Sequence, residues 1–452
     1  MNTVSVLWSY YKCPAEFDGP ISGFEPRGVG GYFRFGPDTI CYGRLSSGQP
    51  GRSATADLPD ASQAIWTDGP PVRLPFDAHE VIENLRWERY VDSSASGRPA
   101  LPEAVRQVYY LMRPLLPVAF RRHLQRVHLR GWEQLEFPVW PVDATVERIH
   151  KRLLVLAMKA LGVAEVPFIW FWPEGLSSCA IMTHDVESSS GVRMCSRVMD
   201  IDDAFGIRSS FQLVPEKRYV LPLGFLEMLR ERKFEINIHD LNHDGHLFAD
   251  HDEFLRRAAR INAYAKIYGA RGFRSAVMYR NAEWYGALEC SYDMSVPNVA
   301  HLDPQRGGCC TVMPFFVGDI VELPVTTVQD YSLFHILGDY SIDLWKRQFG
   351  LIGVEHGLAT FLTHPDYLVS RRASETYKSL LAYLCELRSA GKVWIALPGD
   401  VDTWWRERSH LKLACEGGRW RIEGAGSGRA RIAYAKLAGD SVAYSVQPSH
   451  VP

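Results

Sequence analysis

The chain lacks long apolar runs and cysteine pairs with the CxxC spacing. Its most apolar short stretch, residues 166–172, ends at Pro173 and is far shorter than the roughly 18 residues that would suggest a transmembrane helix. The nine cysteines are an odd, mostly scattered set with no CxxC spacing. We therefore predict no membrane span, no disulfide framework and no thiolate zinc site, and we expect a reducing compartment.

Strong charge of either sign is also missing. The formal net charge is −2, so neither nucleic acid nor an anionic membrane surface is an expected partner. Residues 1–20 have no basic segment followed by a long apolar one, which predicts no secretory signal and a cytoplasmic location. A content of 46% hydrophobic and 23% charged residues is typical of soluble globular proteins.

At 452 residues the chain is long enough for two or three domains. Residues 1–165 show mixed signals of an α+β region, with helical periodicity over residues 104–129 and 144–161. Residues 166–408 alternate short apolar runs with helical stretches, which predicts a parallel sheet, either open or closed into a barrel. A β-rich insertion is predicted at residues 309–328.

The last part of the chain, residues 409–452, has a different pattern. Three short runs alternate apolar and polar residues with period two, which predicts a small antiparallel sheet. A sheet of this size would not be stable alone, so we expect it to pack on the barrel.

Two polar pairs end apolar runs in the middle of the chain. Asp185 and Glu187 close one run, and His239 and His243 close another. If both runs are neighbouring parallel strands, the four side chains meet at the strands' carboxyl ends, where α/β folds place their chemistry. Imidazoles four residues apart suit one metal ion when the chain between them makes about one turn. The alternative is that the histidine spacing is accidental and that the carboxylates cap a helix or lie on the surface.

Other candidate residues also follow strand-like runs. The guanidinium of Arg274 could pair with a catalytic carboxylate and orient it. His364 precedes Pro365, and a histidine at this place could protonate a leaving amine. Asp293 could pair with His364, with Glu322 as its rival for that role.

These motifs follow the order found in the polysaccharide deacetylase family, the NodB-homology carbohydrate esterases. The chain resembles this family over roughly residues 175–400, and the resemblance implies a distorted (β/α)7 barrel. It also implies one divalent metal ion, usually zinc, and hydrolytic removal of an N- or O-acyl group from a sugar. The resemblance is carried by Asp185-Val186-Glu187, His239-Asp240-Leu241-Asn242-His243, Gly272-Phe273-Arg274-Ser275 and Leu362-Thr363-His364.

The same resemblance implies a role for each matching residue. Asp185 corresponds to the general base, Arg274 to the partner of the base and His364 to the general acid. His239 and His243 correspond to metal ligands.

The chain departs from the family's commonest pattern at three places. Val186 stands where a ligating aspartate is usual, and since valine cannot bind a metal, Glu187 is the expected substitute. Ala276 and Val277 stand where a proline and an aromatic residue are common. His184 replaces a common aromatic residue.

The sequence therefore predicts a metal-dependent hydrolase that removes an acetyl group from a sugar or a polysaccharide precursor. Two alternatives remain open: an amidase acting on a small amide, and a catalytically silent sugar-binding protein. The oligomeric state is not predicted. The candidate site consists of the metal ligands Glu187, His239 and His243, with zinc as the expected ion, and of the catalytic residues Asp185, His364, Arg274 and Asp293.

Overall fold

A curled sheet of parallel strands lies at the centre of the molecule. The computed structural model describes residues 6–17, 19–23, 27–55, 57–67, 69–91, 127 and 129–447. The strands are, in chain order, β1 (Ile21–Gly23), β2 (Arg27–Arg34), β3 (Ile40–Leu45), β4 (Val72–Leu74), β5 (Glu165–Ile169), β6 (Ser178–Val186), β7 (Ser210–Leu213), β8 (Glu235–His239), β9 (Gly272–Arg274), β10 (Tyr292–Asp293), β11 (Phe315–Val317), β12 (Ile320–Glu322), β13 (Leu358–Thr363), β14 (Val393–Ala396), β15 (Lys412–Glu416), β16 (Arg419–Glu423), β17 (Ile432–Ala438) and β18 (Ser441–Val446).

Most of the long helices connect successive strands of this sheet. The helices are α1 (Val6–Tyr11), α2 (Ala78–Arg86), α3 (Thr145–Leu161), α4 (Ser189–Ala204), α5 (Phe225–Glu231), α6 (His251–Tyr268), α7 (Asp343–Val354), α8 (Arg371–Ser389) and α9 (Pro398–His410). The helix predicted over residues 144–161 is therefore present as α3. The helix predicted over residues 104–129 falls almost entirely outside the described residues. None of the described helices is both long enough and apolar enough to cross a bilayer.

The parallel strands lie in the order β12–β10–β9–β8–β7–β6–β13, and β14 pairs with the first half of β6. Side chains, rather than a strand ladder, connect the two ends of the curl. The hydroxyl of Thr326 donates to the carbonyl of Leu358, and that of Thr327 donates to the carbonyl of Thr360, both at 2.7 Å. The expected fold class, a distorted α/β barrel, is confirmed.

The β-rich segment predicted at residues 309–328 is present, with β11 and β12 inside it. β11 and β12 form an antiparallel hairpin, but β12 also pairs in parallel with β10. This segment therefore contributes an edge strand to the main sheet. The pattern of two short apolar runs indicates a hairpin, whereas the pairing with β10 depends on a distant part of the chain.

The strands predicted in residues 409–452 are present. β15 pairs with β16, and β17 lies between β18 and β5 in a three-stranded antiparallel sheet. β5 immediately precedes the barrel strands, so the end of the chain pairs with the approach to the barrel. The boundaries proposed for separate domains stay a prediction.

Arg408 in α9 connects three parts of the chain through backbone carbonyls. Its Nε donates to the carbonyl of Trp170 at 2.9 Å, and its Nη2 donates to that of Ile169 at 2.7 Å. The same nitrogen donates to the carbonyl of Tyr10 at 2.9 Å and, at 3.5 Å, to that of Tyr11. Only 2% of Arg408 is exposed, and burial lowers the pKa of its guanidinium to about 9.

We predict that Arg408→Ala lowers the free energy of unfolding by about 3 kcal/mol, because it leaves several buried carbonyls without their donor. Denaturant unfolding measures the change. Arg419→Ala is the control, since Arg419 is exposed and its loss should cost less than about 0.5 kcal/mol. Equal effects of the two substitutions would contradict a structural role for Arg408.

Candidate metal centre

The two carboxylates of the first motif face the same site because β6 continues through Val186. Thr183 and Asp185 lie on one face of the strand, and Arg274 at the end of β9 binds both. Its Nη1 donates to Thr183 Oγ1 at 2.9 Å and to Asp185 Oδ1 at 2.7 Å. Glu187 follows the strand with the same alternation, so its side chain enters the same space.

His239 and His243 converge because the chain between them turns sharply. His239 ends β8, and both Asp240 and His243 have positive φ angles of 57° and 54°. The carbonyl of Arg274 accepts from the amide of Asp240 at 2.8 Å and lies 3.1 Å from His239 Nδ1. The proton of His239 is therefore assigned to Nδ1, which leaves Nε2 free to face the carboxylates.

Glu187, His239 and His243 offer three ligand atoms within 4.8 Å of one another. Glu187 Oε1 lies 2.9 Å from His243 Nε2 and 3.6 Å from His239 Nε2. Both Nε2 atoms are buried, and neither has a hydrogen-bond partner of good geometry among the described residues. Buried polar atoms without partners are uncommon and expensive. Together with the donor set, two imidazoles and one carboxylate, they fit a divalent metal ion.

The electrostatics of the site favour a bound cation. Burial raises the pKa of Glu187, but the imidazoles of His243, His239 and His364 together outweigh burial and hold the pKa well below its usual value. Burial lowers the pKa of His239, yet the charge of Asp185 leads among the effects that raise it above normal. The carboxylates thus remain ionised and draw positive charge toward the imidazoles.

Asp185 is kept ionised by its neighbours as well. Burial would raise its pKa, but the charges of Arg274 and His239 lower it below the usual value. Its second oxygen, Oδ2, lies 3.6 Å from His239 Nε2. Asp185 is therefore a buried carboxylate beside the candidate ligands, with one oxygen held by Arg274.

His364 lies just after β13 and also faces the candidate ligands. Its Nε2 is 3.4 Å from Glu187 Oε1, and its Nδ1 is 2.7 Å from Asp330 Oδ1. Its backbone amide donates to Asp330 Oδ2 at 2.8 Å. Burial lowers the pKa of His364, but the carboxylates of Asp330 and Glu187 together outweigh burial and raise the pKa well above its usual value.

The predicted pairing of Asp293 with His364 is wrong, since Asp330 occupies that place. Asp293 Oδ1 accepts from the hydroxyl of Ser295 at 2.7 Å, and Oδ2 accepts from its amide at 3.0 Å. Glu322, the rival candidate, lies opposite Asp293 in the ladder of β10 and β12 and accepts from the amide of Val296 at 3.0 Å. Both carboxyl groups therefore organise the loop after β10.

The sequence analysis does not select Asp330, because this residue comes after the predicted β-rich segment 309–328 and does not itself end an apolar run. In the structure it begins a helical turn that continues into a short irregular helix, Ser332–Leu337. A weak signal was present: in the family that the sequence resembles, the aspartate that assists the acid is usually followed by tryptophan, and Asp330 is followed by another aromatic residue, Tyr331.

The altered segment after Arg274 has an unusual backbone. It forms a single turn, Ala276–Met278, in which Val277 has a φ angle of 60°. A β-branched residue at positive φ is strained, and such strain is commonest at functional sites. The turn directly follows the strand that carries the partner of Asp185.

Neither a protein-family model nor a curated protein matches the chain. Similar solved structures include a polysaccharide-deacetylase-like protein from Mycobacterium smegmatis, with 18% identity, 55% of this chain and 96% of that chain covered, and a TM-score of 0.43. The allantoinase Puue has 11% identity, coverages of 52% and 92%, and a TM-score of 0.39. The peptidoglycan deacetylase PdaC from Bacillus subtilis has 12% identity, coverages of 51% and 93%, and a TM-score of 0.33.

We predict that the purified protein binds about one equivalent of a divalent transition metal, because three donors converge on one buried point. His243→Ala should lower the bound metal at least about 10-fold, as measured by elemental analysis after dialysis. The control is His79→Ala, which removes an exposed imidazole in α2 and should leave the metal content unchanged. Equal metal content in both variants would contradict the assignment.

Proposed function

We propose that the protein is a metal-dependent hydrolase that removes an acyl group, most simply acetyl, from the amide nitrogen of a sugar. The observation that carries the proposal is the arrangement around Glu187, His239 and His243. A carboxylate held by Arg274 and an imidazole held by Asp330 both lie beside these ligands. Amide hydrolysis is accelerated by a base that takes a proton from water and by an acid that protonates the departing nitrogen.

Glu187, His239 and His243 would hold the metal, and zinc is the ion that we propose for this ligand set. When bound, such a metal polarises the acyl carbonyl and lowers the pKa of water. The position of Glu187 in the motif supports its role as the ligand that replaces the aspartate displaced by Val186.

Asp185 acts as the general base in this proposal. Its pKa is held below the usual value, so its oxygen is available to take a proton from the attacking water. The bond from Arg274 to Oδ1 at 2.7 Å fixes the carboxylate's orientation and leaves Oδ2 to accept the proton. Arg274 thus positions the base and does not itself transfer a proton.

His364 acts as the general acid. Its pKa is raised well above the usual value, which favours the protonated imidazole that an acid requires. Asp330 holds Nδ1, and Nε2 faces the site. A proton delivered from Nε2 to the departing nitrogen converts a poor leaving group into a neutral amine.

The sugar substrate is proposed from the order and content of the four motifs, which resemble those of the polysaccharide deacetylases. A panel of N-acetylated oligosaccharides, nucleotide-linked N-acetyl sugars and small cyclic amides would separate the candidate functions. Acetate release from the sugars alone supports the proposal. Turnover of small amides alone would favour the amidase, and binding of sugars without any release would favour a silent sugar-binding protein.

We predict that Asp185→Asn lowers the rate of acetate release by about 10²- to 10⁴-fold, because an amide cannot act as the base. A coupled acetate assay on the best substrate of the panel measures it. Asp319→Asn is the matched control, since Asp319 is exposed in the turn between β11 and β12. An Asp185→Asn variant with the activity of the control would overturn the role of the base.

We also predict that Asp330→Asn moves the alkaline limb of the pH–rate profile to lower pH. The charge of Asp330 raises the pKa of His364, so its removal lets the acid lose its proton at lower pH. The limb should move in this direction whether or not the maximal rate also falls. An unmoved limb would show that His364 is not the acid whose titration limits the rate.

A further inference from the structure

A second cluster of polar side chains lies behind the candidate metal centre, on the opposite face of β6 and β13. From Ala180 onward, the neighbours of His184 on this face of β6 are apolar and belong to the core that packs against the helices, as Ala180, Met182 and Val186 do. His184 interrupts that run. The cluster is fully buried and consists of His184, Asp202, Ser209, Thr363 and Tyr377.

The cluster joins two strands and two helices through hydrogen bonds. His184 Nδ1 lies 2.8 Å from Thr363 Oγ1, and His184 Nε2 lies 3.2 Å from Asp202 Oδ2. Tyr377 in α8 donates to Asp202 Oδ1 at 2.6 Å, and Ser209 donates to Oδ2 at 2.6 Å. With the proton of His184 on Nε2, the imidazole donates to Asp202 and accepts from the hydroxyl of Thr363. Both the Nε2–H of His184 and the hydroxyl of Thr363 then have an acceptor.

Such a cluster is not what packing alone would favour. An apolar side chain at position 184 would continue the run of its neighbours, whereas a buried imidazole is costly unless its hydrogen bonds are made. Hydrogen bonds differ from apolar contacts in having fixed direction and length. A satisfied buried network therefore defines the relative position of the elements that it joins more sharply than apolar packing does.

The elements joined here are the two that carry the proposed base and acid. Thr363 is the direct partner of His184 in the parallel ladder of β13 and β6. Asp185 follows His184, and His364 follows Thr363, each on the inner face of its strand. A change in the bond between His184 and Thr363 is thus passed to both catalytic side chains through one peptide unit each.

We propose that His184 is a positioning residue that, through Thr363, Asp202 and Tyr377, holds Asp185 and His364 at the separation that hydrolysis needs. This role rests on the proposed function. Displacements of about 1 Å at an active site can cost about 100-fold in rate. We therefore expect loss of the hydrogen bond between His184 and Thr363, which are the chain neighbours of Asp185 and His364, to lower the turnover rate.

The test compares three substitutions in one strand. Thr363→Val keeps the shape of the side chain but removes the hydroxyl that bonds His184, and Thr363→Ser restores that hydroxyl. Thr360→Val is the matched control, because the hydroxyl of Thr360 is buried without a hydrogen-bond partner among the described residues. We expect Thr363→Val to lower kcat about 10- to 100-fold with KM within about twofold, and both other variants to stay close to the parent protein.

Bound metal and the Nδ1 resonance of His364 are measured in the same variants. Metal content should not change, and the resonance, which reports the hydrogen bond to Asp330, should shift in Thr363→Val only. If Thr363→Val does not fold, Tyr377→Phe removes one donor from Asp202 and should show the same fall in kcat at constant KM.

Two results would overturn the positioning role: an unshifted His364 resonance in Thr363→Val, or equal losses of kcat in Thr363→Val and Thr363→Ser. A parent protein that releases no acyl group would instead contradict the proposed function. In that case the resonance still decides whether the network positions His364.

Discussion

One carboxylate oxygen, Oε1 of Glu187, is the point on which the site depends. Three imidazoles face it, with Nε2 atoms at 2.9 Å in His243, 3.4 Å in His364 and 3.6 Å in His239. A carboxylate that has lost most of its water is stable only when charges of opposite sign compensate it. Val186 cannot provide a ligand, and the longer side chain of Glu187, one residue further, brings an oxygen to His239 at the end of β8 and to His243 beyond it. The ligand set therefore depends on a residue just beyond the strand.

Around this oxygen, two ion pairs shift the pKa values of the proposed base and the proposed acid in opposite directions. The guanidinium of Arg274 favours the ionised form of Asp185, whereas the carboxylate of Asp330 favours the protonated form of His364. Groups whose environments shift their pKa values in opposite directions are typical of acid–base catalysis. Both pairs are buried, so bulk water screens them little. The polar network behind β6 and β13 connects the strand that contains Asp185 to the strand that His364 follows. The two ion pairs are therefore linked through the pairing of β6 with β13.

Much of this site can be predicted from the sequence, because its residues end strand-like runs in a known order. For that reason the sequence predicts that six residues share one site: Asp185, Glu187, His239, His243, Arg274 and His364. Asp330 could not be found in this way, since it precedes an irregular turn and its partner is 34 positions away. The pairing of β12 with β10 and that of β17 with β5 likewise depend on distant segments, which periodicity does not reveal. His184 was visible only as an unusual residue, because its role requires knowledge of which helices cover β6.

The most direct test of the central claim is the metal's own coordination. X-ray absorption of the zinc-loaded protein, combined with anomalous diffraction, measures which atoms bind the ion. Our account predicts two imidazole nitrogens at about 2.0–2.1 Å and an oxygen of Glu187 at about 2.0–2.2 Å, with Asp185 outside bonding distance. A zinc ion bound by Asp185 with Glu187 turned away, or a spectrum without imidazole scattering, would contradict it.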